Sequence, residues 1–251
     1  MSLSEFLAGY QATGLPLGLV HCTPVVRAIG AISSGTLRAE MCPVYRERLI
    51  YLFYGRPAFK PLAGMSASRM AEHLPLCLIF DAALMSKSER MLPFDSGGFA
   101  RYAASVGSLP LENFELPADP KTPLRLVSAF YESNLNYFRQ MPLTRPDQIS
   151  LKYPEARAIA RLAHDENIFD DDDRRSTVEI QLADDVRLAE ALIAIIGPSV
   201  VEAEAPVAQL LAQCPNAILQ TYRTYGRQRP IAHAGQLYDL VEDFFRWKTL
   251  L

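Results

Sequence analysis

The sequence predicts one α+β domain, with helices around a central mixed or antiparallel sheet. Three observations point there. Short runs rich in apolar and β-branched residues are bounded by glycine and proline, as strands are. Longer stretches carry apolar residues three and four apart, as helices do. The two kinds are interspersed without regular βα alternation, and neither G-x-G-x-x-G nor G-x-x-x-x-G-K-[ST] occurs, so a doubly wound or P-loop fold has no support. With 251 residues, 49% hydrophobic and 21% charged, a chain of this size buries roughly 70–75% of the surface its unfolded form exposes, so no metal or disulfide staple is required.

Taken in order, Ser4–Tyr10 reads as a short amphipathic helix capped by Ser2 or Ser4 and ended by Gly14 and Pro16. Leu17–Thr23 is a strand. Pro24 opens a helix through Ser33, with Val25, Ile29 and Ile32 on one stripe and Gly35 just past its end. Leu49–Tyr54 is an aromatic strand broken by Gly55 and Pro57, and Leu76–Phe80 is a buried strand. Phe94–Gly98 is a turn-rich loop. Pro123–Gln140 carries Leu124, Val127, Tyr131, Leu135 and Phe138 at helical spacing and is the best helix of the chain; Pro154–Leu162 predicts another. Asp170–Asp173 reads as a solvated acidic loop, Arg175–Leu182 as an alternating strand, and Asp184–Ile195 as helical or mixed. Ala205–Gln213 is a helix, Ala217–Tyr222 a strand, and Gly235–Leu250 a terminal amphipathic helix.

Composition excludes little but not nothing. A net charge of −3 argues against nonspecific coating of duplex DNA, which needs many cation–phosphate contacts. The four cysteines, Cys22, Cys42, Cys77 and Cys214, form no C-x-x-C and stand at no zinc spacing from histidine, so free thiols in a reducing compartment are expected, and no metal. Met1–Tyr10 lacks a basic segment followed by an apolar run, and no apolar stretch approaches the roughly 20 residues of a membrane span, so a cytoplasmic protein without a membrane partner is expected.

Four groupings have chemical potential. His21 and Thr23 lie two apart near a strand end and so share a face; an imidazole and a hydroxyl suit a ribose diol, while a His satisfying a local carbonyl fits the same pattern. Tyr51–Tyr54 runs into Gly55-Arg56-Pro57, which sets a guanidinium at the strand exit, where it clamps a phosphate or carboxylate or caps surface carbonyls. On the strand ending at Leu182, Ser176, Val178 and Ile180 share one face and Thr177, Glu179 and Gln181 the other; Glu179 is then either a rigidly held reactive carboxylate or a solvated residue of an edge strand. The loop Phe94-Asp95-Ser96-Gly97-Gly98 either brings backbone N–H groups close to a ligand or is a simple turn. There is no G-x-S-x-G, H-E-x-x-H or EF-hand loop. The interleaved basic and aromatic stretch Tyr222–Arg229 suits either single-stranded nucleic acid or a protein interface.

In this order the pieces resemble an ADP-ribosyltransferase, nearest to the DarT-like enzymes. The resemblance rests on His21 and Thr23 with the Ser34-Gly35-Thr36-Leu37 helix exit, then Tyr51–Tyr54 with Gly55-Arg56-Pro57, then Ser176-Thr177-Val178-Glu179-Ile180-Gln181. It covers residues 17–59 and 174–186; the middle of the chain and a helical C-terminal part, about residues 200–251, match nothing in it. It implies a split mixed or antiparallel sheet core with surrounding helices in a single domain, and NAD as substrate without a metal. Glu179 and Arg56 would be catalytic, and His21, Thr23, Ser176 and one of Tyr51 and Tyr54 would bind NAD. The acceptor of ADP-ribose would be a macromolecule, nucleic acid or protein, as for a toxin or defence effector. Thr177, where many relatives carry a second acid, speaks against arginine as the acceptor. The alternative is a non-catalytic nucleotide- or partner-binding domain of an intracellular assembly.

Overall fold

The computed structural model describes residues 1–60, 70–165 and 173–251, except the side chains of Ala103, Ala104 and Asp173. The acidic run Asp170–Asp173 therefore lies almost wholly outside the described residues.

The chain opens with α1 (Leu3–Ala8), which Ser2 and Glu5 close with a capping box. Then come β1 (Leu19–Pro24), α2 (Val25–Ser34), the short β2 (Thr36–Leu37) and β3 (Glu40–Met41), and β4 (Arg48–Tyr54). β5 (Pro75–Phe80) and β6 (Arg90–Leu92) precede a helical middle: α3 (Ala103–Val106), α4 (Thr122–Phe130), α5 (Asn134–Phe138) and α6 (Pro154–His164). The last part holds β7 (Glu179–Leu182), β8 (Val186–Arg187), α7 (Leu188–Ala191), β9 (Leu192–Pro198), α8 (Ala205–Gln213), β10 (Ile218–Tyr222) and α9 (Ala234–Trp247).

This is a mixed α+β fold. Its main sheet runs β10-β9-β5-β1-β4-β7-β6, with β3 added on β4. Among the described residues only the β9–β10 pair is parallel; the other ladders are antiparallel. α2 packs on β1 and β5, and α9 on β5, β9 and β10, so the C-terminal part belongs to the same sheet as the rest. β5 is buried along its whole length, which is why its sequence is continuously apolar.

Two punctuation marks carry structural weight. Gly35 ends α2 at φ 67 and its N–H bonds back to Ala31 and Ile32, the left-handed stop glycine supplies. Gly55 ends β4 at φ 66, and a Cβ there would stand 2.3 Å from Leu17 Cδ1. Only glycine lets the chain turn off β4 so tightly against Leu17 and release Arg56 toward α9.

Three expectations are corrected and one is narrowed. The long helix expected over Pro123–Gln140 is two helices, α4 and α5: Glu132 takes a left-handed φ of 64 and Ser133 caps α5 through Asn136 N–H. The stretch expected to be helical or mixed over Asp184–Ile195 is mixed: it holds β8, α7 and the start of β9, a strand between β5 and β10. Strand β7 begins only at Glu179, and Ser176 lies in the 3-10 turn before it. Nor is β7 an edge strand with a wet face: β4 flanks it on one side and β6 on the other, and all four of its residues are buried.

Candidate functional site

The register decides which side chains meet. Phe53 pairs with Glu179 and Tyr51 with Gln181, while Leu92 and Arg90 take the same partners from the other side. Directly opposed residues share a face, so Tyr51, Gln181, Arg90, Phe53, Glu179 and Leu92 form two rows on one face. Val20 pairs with Phe53 and belongs to it. His21 and Thr23 alternate with Val20 and Cys22, so they project from the opposite face, toward α2. The three elements of the resemblance therefore do not meet in one cleft on one side of the sheet.

Glu179 is completely buried. Its Oε2 accepts from the Ser96 backbone N–H at 3.1 Å and its Oε1 from Gln181 Nε2 at 2.6 Å. Arg90 Nη1 donates to Gln181 Oε1 at 2.7 Å, which fixes the amide so that its NH2 group faces the carboxyl. Asp95, held by Arg174 at 3.0 Å, adds a second acidic group nearby. Burial first, and the Asp95 charge second, push the Glu179 pKa up to about 8 against the hydrogen bonds that favour ionisation. At neutral pH Glu179 is thus mainly a carboxylic acid, not the ionised carboxylate expected. The Phe94–Gly98 loop, one of the four candidate groupings, is the cover over it.

Arg56 is also buried. Its Nε donates to Thr177 Oγ1 at 3.2 Å and its Nη1 to the Tyr137 carbonyl at 3.5 Å. The guanidinium lies 5.2 Å from the Tyr238 ring and 5.9 Å from the Phe138 ring, a cation between aromatic faces. Thr177 places it two residues from Glu179 along the chain. Of the two tyrosines, Tyr51 is the one on the Glu179 face; burial raises its pKa and the Glu179 carboxyl adds to this. Its hydroxyl donates to Cys42 Sγ at 2.6 Å. Tyr54 points away, fully buried, its oxygen accepting from Leu17 N–H at 3.0 Å. Ser176 bonds to Gln140 through its hydroxyl and accepts from Gln140 Nε2 at its carbonyl, so both groups are engaged inside the protein.

His21 and Thr23 line a groove of about 600 Å3 with Arg27, Ser34, Thr36 and Arg38. The groove exists because β1 and β4 part: their ladder has only the pairs Leu19–Tyr54 and Val20–Phe53, although β1 continues along β5 to Pro24. Past that point the His21 ring replaces the missing ladder bond, with Nδ1 3.0 Å from the Tyr51 carbonyl. A carbonyl only accepts, so the neutral ring carries its proton on Nδ1 and leaves Nε2 as an acceptor. Burial lowers the His21 pKa, which keeps the ring neutral at pH 7. The groove thus offers two acceptors, His21 Nε2 and the exposed Glu40 carboxylate, hydroxyls at Thr23, Ser34 and Thr36, and two exposed cations, Arg27 and Arg38. This donor set fits a ribose with attached phosphates, and the volume is that of a small-molecule site.

Sequence reasoning missed Arg27, Arg38 and Arg90. The first had a signal: Arg27 and Ser34 stand two helical turns apart, both exposed on α2. Arg90 had none, because β6 is three residues long. In the basic stretch near the C-terminus, Arg223, Tyr225, Arg227 and Arg229 are exposed, whereas Tyr222 is buried and donates to the Pro75 carbonyl at 2.7 Å. Among the described residues no cluster of His, Cys, Asp and Glu stands at metal-binding distance, and no helix is long and apolar enough to cross a membrane. Comparison with family models, curated proteins and solved structures gives no match.

Proposed function

We propose that this protein binds NAD in the groove where β1 and β4 part, and transfers its ADP-ribose to a macromolecular acceptor, nucleic acid or protein. The observation that carries the reading is that groove, with an imidazole acceptor, hydroxyls and two arginines around one opening in the sheet. His21 Nε2 takes a ribose hydroxyl, and Arg27 and Arg38 take the pyrophosphate. Glu179 projects from the face opposite His21, so for transfer the nicotinamide end of NAD must pass through the opening between β1 and β4 to bring the reacting ribose to this carboxyl, which Arg56 supports through Thr177. In the transfer, the nicotinamide–ribose bond breaks with its electron pair leaving on nicotinamide. An acceptor nucleophile then bonds the freed ribose carbon and loses its proton to solvent. The positive charge that develops on the ribose needs an ionised carboxylate beside it. Two things must therefore happen at Glu179: the Phe94–Gly98 cover lifts, and the acid loses its proton. Turnover is expected to rise as pH passes through about 8.

A second reading has its own observation. Glu179 faces away from His21 and has no exposed surface, which favours nucleotide binding without catalysis. One experiment separates the two. Nicotinamide release from NAD is measured beside calorimetric binding of NAD and ADP-ribose, for wild type, Glu179→Gln, and His21→Ala combined with Arg38→Ala. Turnover that Glu179→Gln abolishes while binding stays supports the transferase. Binding without turnover supports the second reading. Absence of binding by wild type removes both.

A further inference from the structure

Cys22 and Cys77 stand directly opposite one another in the antiparallel ladder between β1 and β5. Opposed residues in such a ladder have Cα atoms about 4.5 or 5.5 Å apart, depending on the type of pair. Both spacings fall inside the 4.4–6.8 Å range of disulfides. The two side chains point to the same face, the one away from His21, and Tyr222 stands beside them. Their exposures differ: Cys77 is completely buried, whereas Cys22 is half-buried. Both are free thiols, as are Cys42 and Cys214. The other two have no such counterpart. Cys42 is wrapped by Tyr51 hydroxyl and by the N–H groups of Val44 and Tyr45, and Cys214 by the Leu188 carbonyl.

We propose that Cys22 and Cys77 are a redox pair that closes to a reversible disulfide on exposure to a small-molecule disulfide oxidant such as oxidised glutathione. The order of steps follows from exposure. Cys22 loses its proton to solvent and its sulfur attacks the oxidant. One S–S bond breaks, a Cys22 mixed disulfide forms, and the first glutathione thiolate leaves and is protonated. Cys77 sulfur, losing its own proton, then attacks Cys22 Sγ and expels the second glutathione. The net change is two protein thiols and one glutathione disulfide giving one protein disulfide and two glutathione thiols. The second step is intramolecular, and burial, which holds the Cys77 thiol well above its usual pKa, makes Cys77 the resolving thiol and not the first attacker. The crosslink ties the strand that carries His21 and Thr23 to its neighbour, so the redox state is written into one wall of the groove. The inference stands independently of what the groove binds.

The test uses the full chain incubated in glutathione redox buffers of stepped composition, then acid-quenched. Free thiols are counted under denaturing conditions, and unreduced peptides are mapped by mass. The expected result is a fall from four thiols to two, with a linked peptide pair containing Cys22 and Cys77, reversed by reduced glutathione. In Cys77→Ser, Cys22 stops as a stable glutathione adduct; in Cys22→Ser, Cys77 does not react. Circular dichroism of both variants checks that they are folded. Four thiols retained in the most oxidising buffer, a persistent glutathione adduct on wild-type Cys22, or a link through Cys42 or Cys214 would each overturn the proposal.

Discussion

Replacing Glu179 by Gln tests the central electrostatic claim. The folded carboxyl holds its proton up to about pH 8, whereas in the unfolded chain it ionises near 4.5. Between these values the folded state binds more protons than the unfolded one, so the Glu179 contribution to stability falls as pH rises. It is flat below pH 4.5, declines by about 1.4 kcal/mol per pH unit, and levels off above 8 at a total loss on the order of 5 kcal/mol. No solvent discount applies, because the group has no exposed surface. Gln keeps the volume and removes the titration. It also creates a mismatch: with its carbonyl on Ser96 N–H, its NH2 group meets the Gln181 NH2 group that Arg90 orients. That costs about 1–2 kcal/mol at every pH. In urea unfolding at pH 5, 7 and 8.5, Glu179→Gln is therefore less stable than wild type at pH 5, and its relative stability improves with each step until it overtakes wild type. Parallel stability profiles for the two proteins would falsify the account of a buried, protonated Glu179.

Further outcomes follow from single contacts. Gly55→Ala adds a Cβ at a φ of 66 against buried Leu17; a loss of about 2–4 kcal/mol in urea unfolding is expected, since positive φ and overpacking both act. Tyr137→Phe removes a phenol that donates to the Tyr54 carbonyl and accepts from Val178 N–H, at 2.9 and 3.0 Å. The Val178 N–H at the β4–β7 junction is left unpaired while the Tyr54 carbonyl keeps the Arg56 N–H at 2.8 Å, and a loss of about 1–3 kcal/mol is expected in the same assay. ADP-ribose binding should hold level from pH 8 down to 6.5 and weaken below it, as His21, whose pKa lies under the usual 6.5, gains a proton and loses its Nε2 acceptor; His21→Asn should remove that pH dependence.

Much of the fold is legible in the chain because its signals are local. Pro24 and Gly35 bracket α2 through the backbone preferences of two residues. Leu76–Phe80 reads as a buried strand because five apolar residues between breakers suit little else. Where the local signal is double-valued, reading fails. The run Leu192–Gly197 suits a helix or a strand equally, and pairing with β5 and β10 decides it. The break between α4 and α5 is marked by Ser133, a good N-cap, but the apolar period runs across it unbroken and hides it.

The candidate site divides the same way. The sequence by itself determined that His21 and Thr23 share a strand face, that Arg56 leaves a strand through a glycine, and that Glu179 alternates with apolar neighbours. Each follows from spacing within one segment. Only the tertiary structure decided that β1 and β4 part beside His21, that Glu179 faces the other side, and that β6 and the Ser96 loop bury it. Those facts depend on register between strands more than a hundred residues apart. A one-residue change of register exchanges the two faces of a strand, and no property of the strand alone reports which face its partner will choose.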